Sequence, residues 1–306
     1  MVHASLVNAF TLLLKAPTSY LDGTSDAGNL FTNPLTNLTT TPHLNEHEEI
    51  KWFECEEIIP DKQINNLDDV VVHAKMFICE DIDIGHVSSC DKLFSSGDYK
   101  FNALELAEKE HSDLIAGKYE GGLKVWECTS DVIKYLLDNT DINFKGAKVL
   151  DLGCGVGILG IYALLHDSIV TFQDYNKEII ECVTIPSVLL NIENEQREEV
   201  IKKCKFYSGD WASFDKKLAN TDIYDIILTS ETIYNEKNYE KLTNIFLNRL
   251  SKDGSAYVAA KTCYFGVGGG MRQFETYIQK TGSLNSEVVW KSSGGIQREI
   301  LKIKRI

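Results

Sequence analysis

The sequence predicts a doubly wound, mostly parallel α/β sheet over residues 121–306. Three observations lead there. Short apolar strands alternate with helical segments from about residue 121. The strand "AKVLDLG" runs straight through a glycine turn into the helical "ILGIYALLH". The last two strands, "SEVVWKS" and "IQREILKIK", follow one another without a helix and read as a closing antiparallel hairpin.

The elements follow in order. "CTSDVIKYLLDN" opens as a helix started by Thr129 or Ser130, with an acid in its first turn. "AKVLDLG" is a buried strand, "ILGIYALLH" a helix and "SIVTFQD" a second strand. "KEIIECVTIPSVLLN" is a helix that Pro186 must strain or kink, because proline lacks the N–H of the helical ladder. "CKFYSG" and the strongly apolar "IYDIILTS" are the third and fourth strands. "NYEKLTNIFLNRLS" is an amphipathic helix that stops near Gly254, "GSAYVAAK" is the fifth strand and "MRQFETYIQKT" the last helix. No internal repeat is visible.

Two less regular segments precede this domain. Residues 1–45 are rich in Thr, Asn, Leu and Ser and hold three charges, Lys15, Asp22 and Asp26, so they are expected to be mostly disordered. Residues 46–120 form an acidic extension docked on the main domain, with a candidate strand in "DVVVHAKMFICED" and helical spacing in "LELAEKEHSDLIAG". His43 and His47 lie four apart, but no helix is evident to hold them on one face, and no metal is expected.

Bulk properties narrow the function classes. The chain has 306 residues and a 43% hydrophobic fraction, ordinary for a globular protein. No apolar run approaches the roughly 18 residues of a membrane span. "MVHASLVNAFTLLLKAP" lacks a basic lead-in and a clear cleavage site, so no signal peptide is expected. Eight cysteines form no CxxC pair, and Cys128, Cys154 and Cys182 sit in core-like patterns. Such cysteines read as buried thiols, and a cytoplasmic or nuclear location follows. The sequon at Asn37 would then go unused. Residues 1–120 carry 21 acidic and 8 basic residues; residues 121–306 carry 24 and 23. The acidity of the first part disfavours direct nucleic-acid binding and suits a basic protein partner, although a merely solvated surface has the same composition. A monomer is expected.

"VLDLGCGVGILG" (149–160) holds two glycine patterns at once: Gly153, Gly155 and Gly157 spell GxGxG, and Gly155, Gly157 and Gly160 spell GxGxxG. The first suits S-adenosylmethionine (AdoMet) and the second a dinucleotide. Asp151 discriminates between them. A carboxylate beside the helix N-terminus repels a diphosphate, whereas AdoMet carries a sulfonium and an ammonium. Asp174 closes the second strand in "FQDYN", where a carboxylate accepts from ribose hydroxyls in either cofactor. In "SGDW", Asp210 can accept from the adenine amino group and Trp211 offers a flat face to the base, with a core tryptophan as the plain alternative. In "GGLKVWECT", Trp126 can cover the methionine part of the cofactor.

Together, "DLGCGVG", "FQDYN", "SGDW" and "SETIY" resemble the seven-strand AdoMet-dependent methyltransferases. More narrowly, "YEGGLKVWEC" (119–128), "TSETIYN" (229–235) and "YFGVGGG" (264–270) are similar to the protein-histidine N-methyltransferases of the methyltransferase-like group. Those enzymes modify one histidine of the third protein of the large ribosomal subunit. The resemblance spans roughly residues 111–306, and residues 1–100 show no match. It implies a class I, Rossmann-like fold with a seven-strand sheet, AdoMet as cofactor and a basic ribosomal protein as substrate. It further implies cofactor contacts at Val125, Trp126, Glu127, Thr129, Asp151, Gly153, Gln173, Asp174, Tyr175, Gly209, Asp210, Trp211 and Ser230. "SGDW" carries Asp where either acid is expected, a small departure.

"LTSETIY" brings Ser230 and Glu231 to the carboxyl end of the fourth strand. Glu231 and Tyr234 form E-x-x-Y, which resembles the acidic-x-x-aromatic signature of protein methyltransferases in this group; a helix-capping cluster is the plain alternative and can coexist. Glu231 is expected to hold the far ring N–H of a histidine, with Tyr234 shaping an aromatic slot. "KTCYFGVGGG" reads as a bending loop over the acceptor site, with Tyr264 and Phe265 sandwiching an imidazole, or as a simple turn. Three rivals remain: a lysine methyltransferase of the same fold, a non-catalytic AdoMet-binding chaperone of a ribosomal protein, and an NAD enzyme.

Overall fold

The computed structural model describes residues 51–64, 74–87, 109 and 112–306. The expectations for residues 1–45, the His43/His47 pair and the Asn37 sequon lie outside the described residues. The strands are β1 (Glu56–Glu57), β2 (Ala74–Cys79), β3 (Ile82–Val87), β4 (Lys148–Leu152), β5 (Ile169–Asp174), β6 (Cys204–Ser208), β7 (Tyr224–Ser230), β8 (Leu250–Lys261), β9 (Leu284–Lys291) and β10 (Arg298–Arg305).

Apolar side chains on both faces of the strands drive the layering. Val149, Phe172, Ile226 and Leu228 face the helices Glu127–Asp138, Ile158–Leu165 and Ile185–Leu190. Leu150, Leu152, Ile227 and Val258 face the helices Trp211–Lys217, Tyr239–Arg249 and Met271–Thr281. A strand with no polar face is stable only when helices cover it on both sides. The sheet order is β1-β6-β5-β4-β7-β8-β10-β9, parallel from β6 to β8 and antiparallel at β10 and β9. The seven expected strands are β4 to β10. The two-residue β1 adds an antiparallel eighth at the β6 edge. Strand order reverses between β4 and β7, so the cleft opens beyond their carboxyl ends. The described residues from 52 to 306 belong to one compact unit.

Several boundaries depart from the sequence reading. The first long helix starts at Glu127, with Trp126 at its N-cap and no side-chain cap. Thr129 is therefore inside the helix, with its hydroxyl 3.4 Å from Ser230 Oγ. Ser130 is inside the helix as well, and Asp131 beside it takes a two-pronged ion pair from Arg298 of β10, at 2.5 and 3.2 Å. Gly254 does not separate helix from strand, because β8 already begins at Leu250. In "LELAEKEHSDLIAG", Lys109 is helical, residues 112–117 lead into a turn closed by an Ile115–Tyr119 bridge, and the other positions lie outside the described residues. The strand in "DVVVHAKMFICED" is β2, paired with β3 away from the main sheet. Pro186 acts through a π-helical segment, Ile180–Thr184, just upstream of it. The wider turn accommodates the upstream carbonyl that the missing Pro186 N–H would leave unpaired in a straight α-helix.

Candidate active site

The glycine turn is fixed by two buried acids. Gly153, Gly155 and Gly157 have φ of +68°, +49° and +91°, a left-handed region costly for side chains. Gly155 N–H donates to Asp174 Oδ2 at 2.8 Å, and Gly160 N–H donates to Asp151 Oδ2 at 2.7 Å. A Cβ on Gly155 would stand 2.9 Å from Gly122 O, so the turn lies directly against the "YEGGLKVWEC" segment.

Beyond the turn lies a solvent-connected cleft of about 880 Å³. Five carboxylates line it, from Glu120, Asp151, Asp174, Asp210 and Glu231, against one lysine, Lys124. Burial raises Asp151 to about 7, and Asp174 adds to that rise while the Gly160 hydrogen bond opposes it. Burial likewise raises Asp174 to about 6, opposed by the Gly155 and Asn176 N–H groups. Glu120 is raised by burial too, against the hydrogen bond from Tyr234. Such a cleft suits a cation. Asp151 and Asp174 have no ion-pair partner among the described residues, and they gain a counter-charge when a positive ligand enters. A diphosphate finds the opposite: carboxylates around it, and the Gly160 donor in the first helical turn already taken by Asp151. AdoMet fits this donor set, and a dinucleotide does not.

Most of the expected cofactor residues border the cleft. Val125, Trp126, Thr129, Asp151, Gly153, Gly155, Asp174, Tyr175, Gly209, Asp210, Trp211 and Ser230 line it. Three do not. Glu127 points to solvent and pairs with Lys261 at 3.1 Å. Gly157 packs on Thr184 and Phe172, where a Cβ would lie 3.2 and 3.4 Å away, so it shapes the backbone. Gln173 is fully buried behind the cleft; it accepts from Trp211 Nε1 at 2.9 Å and donates to Gly209 O at 2.8 Å, which holds the Trp211 ring at the wall. Asp210 lines the cleft with both oxygens already engaged: one caps the helix through Ala212 N–H at 2.9 Å and the other pairs with Lys241 at 2.5 Å, and each keeps a second lone pair.

At the carboxyl end of β7, Glu231 is buried with a left-handed φ of +58°. The Tyr264 hydroxyl donates to its Oε2 at 2.6 Å. Its Oε1 is buried without a hydrogen-bond partner, and Lys261 Nζ lies 3.9 Å away. The Cys128 thiol also faces this carboxylate; burial and then Glu231 push that thiol up. Tyr234 lines the cleft, and its hydroxyl donates to Glu120. Its ring meets Tyr264 edge-on at 6.2 Å. The expected sandwich of Tyr264 and Phe265 is not formed: Tyr264 turns inward to Glu231 and Tyr234, whereas Phe265 is 89% exposed. The glycine-rich loop satisfies one aromatic at the carboxylate and leaves the other in solvent.

Sequence reasoning missed Glu120, Trp52 and Asn238, which also line the cleft. Glu120 was inside the quoted "YEGGLKVWEC", and its signal was an acid directly before two glycines. Trp52 lies far upstream in an acidic stretch and gave no signal.

Comparison with known proteins agrees with the site. A family model described as lysine methyltransferase matches residues 108–277, more than half of the chain. The chain is 46% identical to histidine protein methyltransferase 1 homolog of Dictyostelium discoideum over 63% of its own length and 61% of that protein. It is 40% identical to the Bos taurus homolog, covering 66% of this chain and 60% of that one. It is 24% identical to protein N-lysine methyltransferase METTL21A of Xenopus tropicalis, over 46% and 60%. The chain thus spans about 60% of the length of the first two relatives. A sheet reversing at β4 and β7, an acid-lined cleft at that reversal and the match over residues 108–277 lead to one conclusion: this chain belongs to the lysine methyltransferase family of AdoMet-dependent methyltransferases.

Proposed function

We propose that the chain is a protein-histidine N-methyltransferase that moves the methyl group of AdoMet to an imidazole of a basic ribosomal protein. The observation that carries this reading is Glu231: a buried carboxylate at the cleft, fixed on one oxygen by Tyr264 and lacking a hydrogen-bond partner on the other. The higher identity to relatives named as histidine methyltransferases supports the same acceptor.

AdoMet supplies a methyl group already activated by the sulfonium. The acceptor must present a lone pair. Imidazole, with an ordinary pKa of about 6.5, is largely neutral near pH 7, whereas lysine at about 10.4 must first lose a proton. For histidine, Glu231 Oε1 need only accept the N–H of the far ring nitrogen. That fixes the tautomer and turns the other nitrogen toward the methyl carbon. Transfer of the methyl, with S-adenosylhomocysteine as the leaving group, would make the ring cationic, and the Glu231 carboxylate would stabilise it until the far N–H proton passes to solvent. Tyr264 holds Glu231, and Tyr234 and Trp126 wall the cleft. Alignment of this kind contributes about 7–11 kcal/mol in favourable cases.

Two measurements test the reading. Mass spectrometry of ribosomal proteins with and without the gene should show one methylene of mass on a histidine. Glu231→Gln should keep AdoMet affinity and lose turnover; full turnover would remove Glu231 from the mechanism. The family description favours a second reading, lysine as acceptor. Amino-acid analysis of the labelled product distinguishes the two. The acidity of residues 1–120 supports a basic protein substrate in either case.

A further inference from the structure

The segment Trp52–Ile58 lies upstream of the 108–277 family match, yet it is built into the rim of the cleft. Its backbone is anchored along its length. Phe53 O accepts from Asp210 N–H at 2.9 Å, Cys55 N–H donates to Ser213 Oγ at 2.9 Å, and Ile58 N–H donates to Phe206 O at 2.8 Å. β1 pairs Glu56 with Ser208 and Glu57 with Tyr207. The crossing point is Gly209, where an added Cβ would stand 2.6 Å from Glu54 O and 2.8 Å from Cys55 Cα. Only a residue without a side chain lets the segment lie this close.

The result is a second aromatic wall. Trp52 lines the cleft and meets Tyr175 edge-on at 6.0 Å, while Phe53 stacks on Tyr175 at 4.9 Å. Lys241 Nζ sits 3.4 Å from the Trp52 ring centroid and 2.5 Å from Asp210 Oδ1, which fixes the indole against the rim. Tyr175 follows the ribose-side acid Asp174, and Asp210 and Trp211 follow Gly209. Trp52 therefore stands at the nucleoside end of the cleft, beside Tyr175 and Asp210. An indole left half-exposed there is covered when a purine enters.

We propose that Trp52 is a cofactor-binding residue: the Trp52–Ile58 strap, seated over Gly209, closes the nucleoside end of the cleft and presses an indole against the adenosine of AdoMet. This rests on the AdoMet reading of the cleft. The test is calorimetry of S-adenosylhomocysteine and of adenosine on the full chain. Trp52→Ala should weaken both by about tenfold or more, as loss of a base-stacking aromatic does, and Trp52→Phe should retain most of the affinity. Ser213→Ala, which removes the Cys55 anchor of the strap without touching the cleft lining, should weaken binding in the same direction, and the double variant Trp52→Ala/Ser213→Ala should lose little beyond Trp52→Ala alone. Wild-type affinity in Trp52→Ala, or full additivity in the double variant, would overturn the proposal. A wild-type chain that binds neither compound would instead remove the AdoMet reading itself.

Discussion

The Tyr264 hydroxyl donates a 2.6 Å hydrogen bond to Glu231 Oε2, joining the loop after β8 to the end of β7. Burial and the facing carboxylate both push this phenol far above its ordinary pKa, so it stays protonated and always donates. Tyr264→Phe should leave Glu231 in place but free to rotate. A hydrogen bond to a charged group contributes about 1.5–3 kcal/mol, so kcat should fall by roughly 10–100-fold while AdoMet affinity holds. Steady-state kinetics beside cofactor titration checks this; an equal loss in both would make Tyr264 a scaffold residue only.

Glu231 has a cost in the folded chain. A left-handed φ of +58° in a residue with a Cβ stores about 1–3 kcal/mol, and a buried Oε1 with no partner adds to it. Glu231→Gly relieves both but leaves the buried Tyr264 hydroxyl without its acceptor, a loss of similar size. Thermal melting should show a midpoint close to wild type, with turnover gone. A clear drop in melting temperature would mean that the carboxylate holds the turn together and is not itself a strained group.

The sheet and its glycine turn were legible in the sequence because both rest on local chemistry. β4 and β7 are apolar at successive positions, and left-handed turns call for Gly153, Gly155 and Gly157. What escaped depended on distant partners. Thr129 has the chemistry of a cap, yet its hydroxyl faces Ser230 across the cleft. Gly254 looks like a stop, yet β8 continues through it. Tyr264 and Phe265 are adjacent and similar, and only the fold of the loop sends one inward and the other out.

Gly160 separates packing from ligand binding. It completes a GxGxxG pattern but does not line the cleft. A Cβ there would meet Phe172 Cε1 at 2.2 Å and Cζ at 2.8 Å, so its role is close contact between helix and β5. Gly160→Ala should destabilise by about 1–3 kcal/mol through overpacking. Adding Phe172→Leu should recover much of that in denaturant melts, with AdoMet affinity near wild type in the double variant. An affinity that stayed low after stability returned would return Gly160 to the ligand site.

Cofactor affinity should depend on pH, and the sign follows from two acids. Asp151 and Asp174, raised to about 7 and about 6, hold protons in the free cleft well above the ordinary carboxylate range. A raised carboxyl costs the fold most once ionised, so this destabilisation grows as pH rises from about 4 toward 7. AdoMet, a cation beside the acids, favours their ionised forms and displaces those protons. Its affinity should therefore be greatest above pH 7 and fall as pH drops through 7 and then 6, by up to about tenfold per unit for each proton displaced. S-Adenosylhomocysteine lacks the sulfonium charge and should show a shallower slope. Calorimetry from acidic to alkaline pH, in two buffers of different ionisation enthalpy, counts the released protons directly. Equal slopes for the two compounds would mean that the acids do not sense the sulfonium. Asp174→Asn should flatten the lower part of the AdoMet profile, because that residue titrates nearer 6.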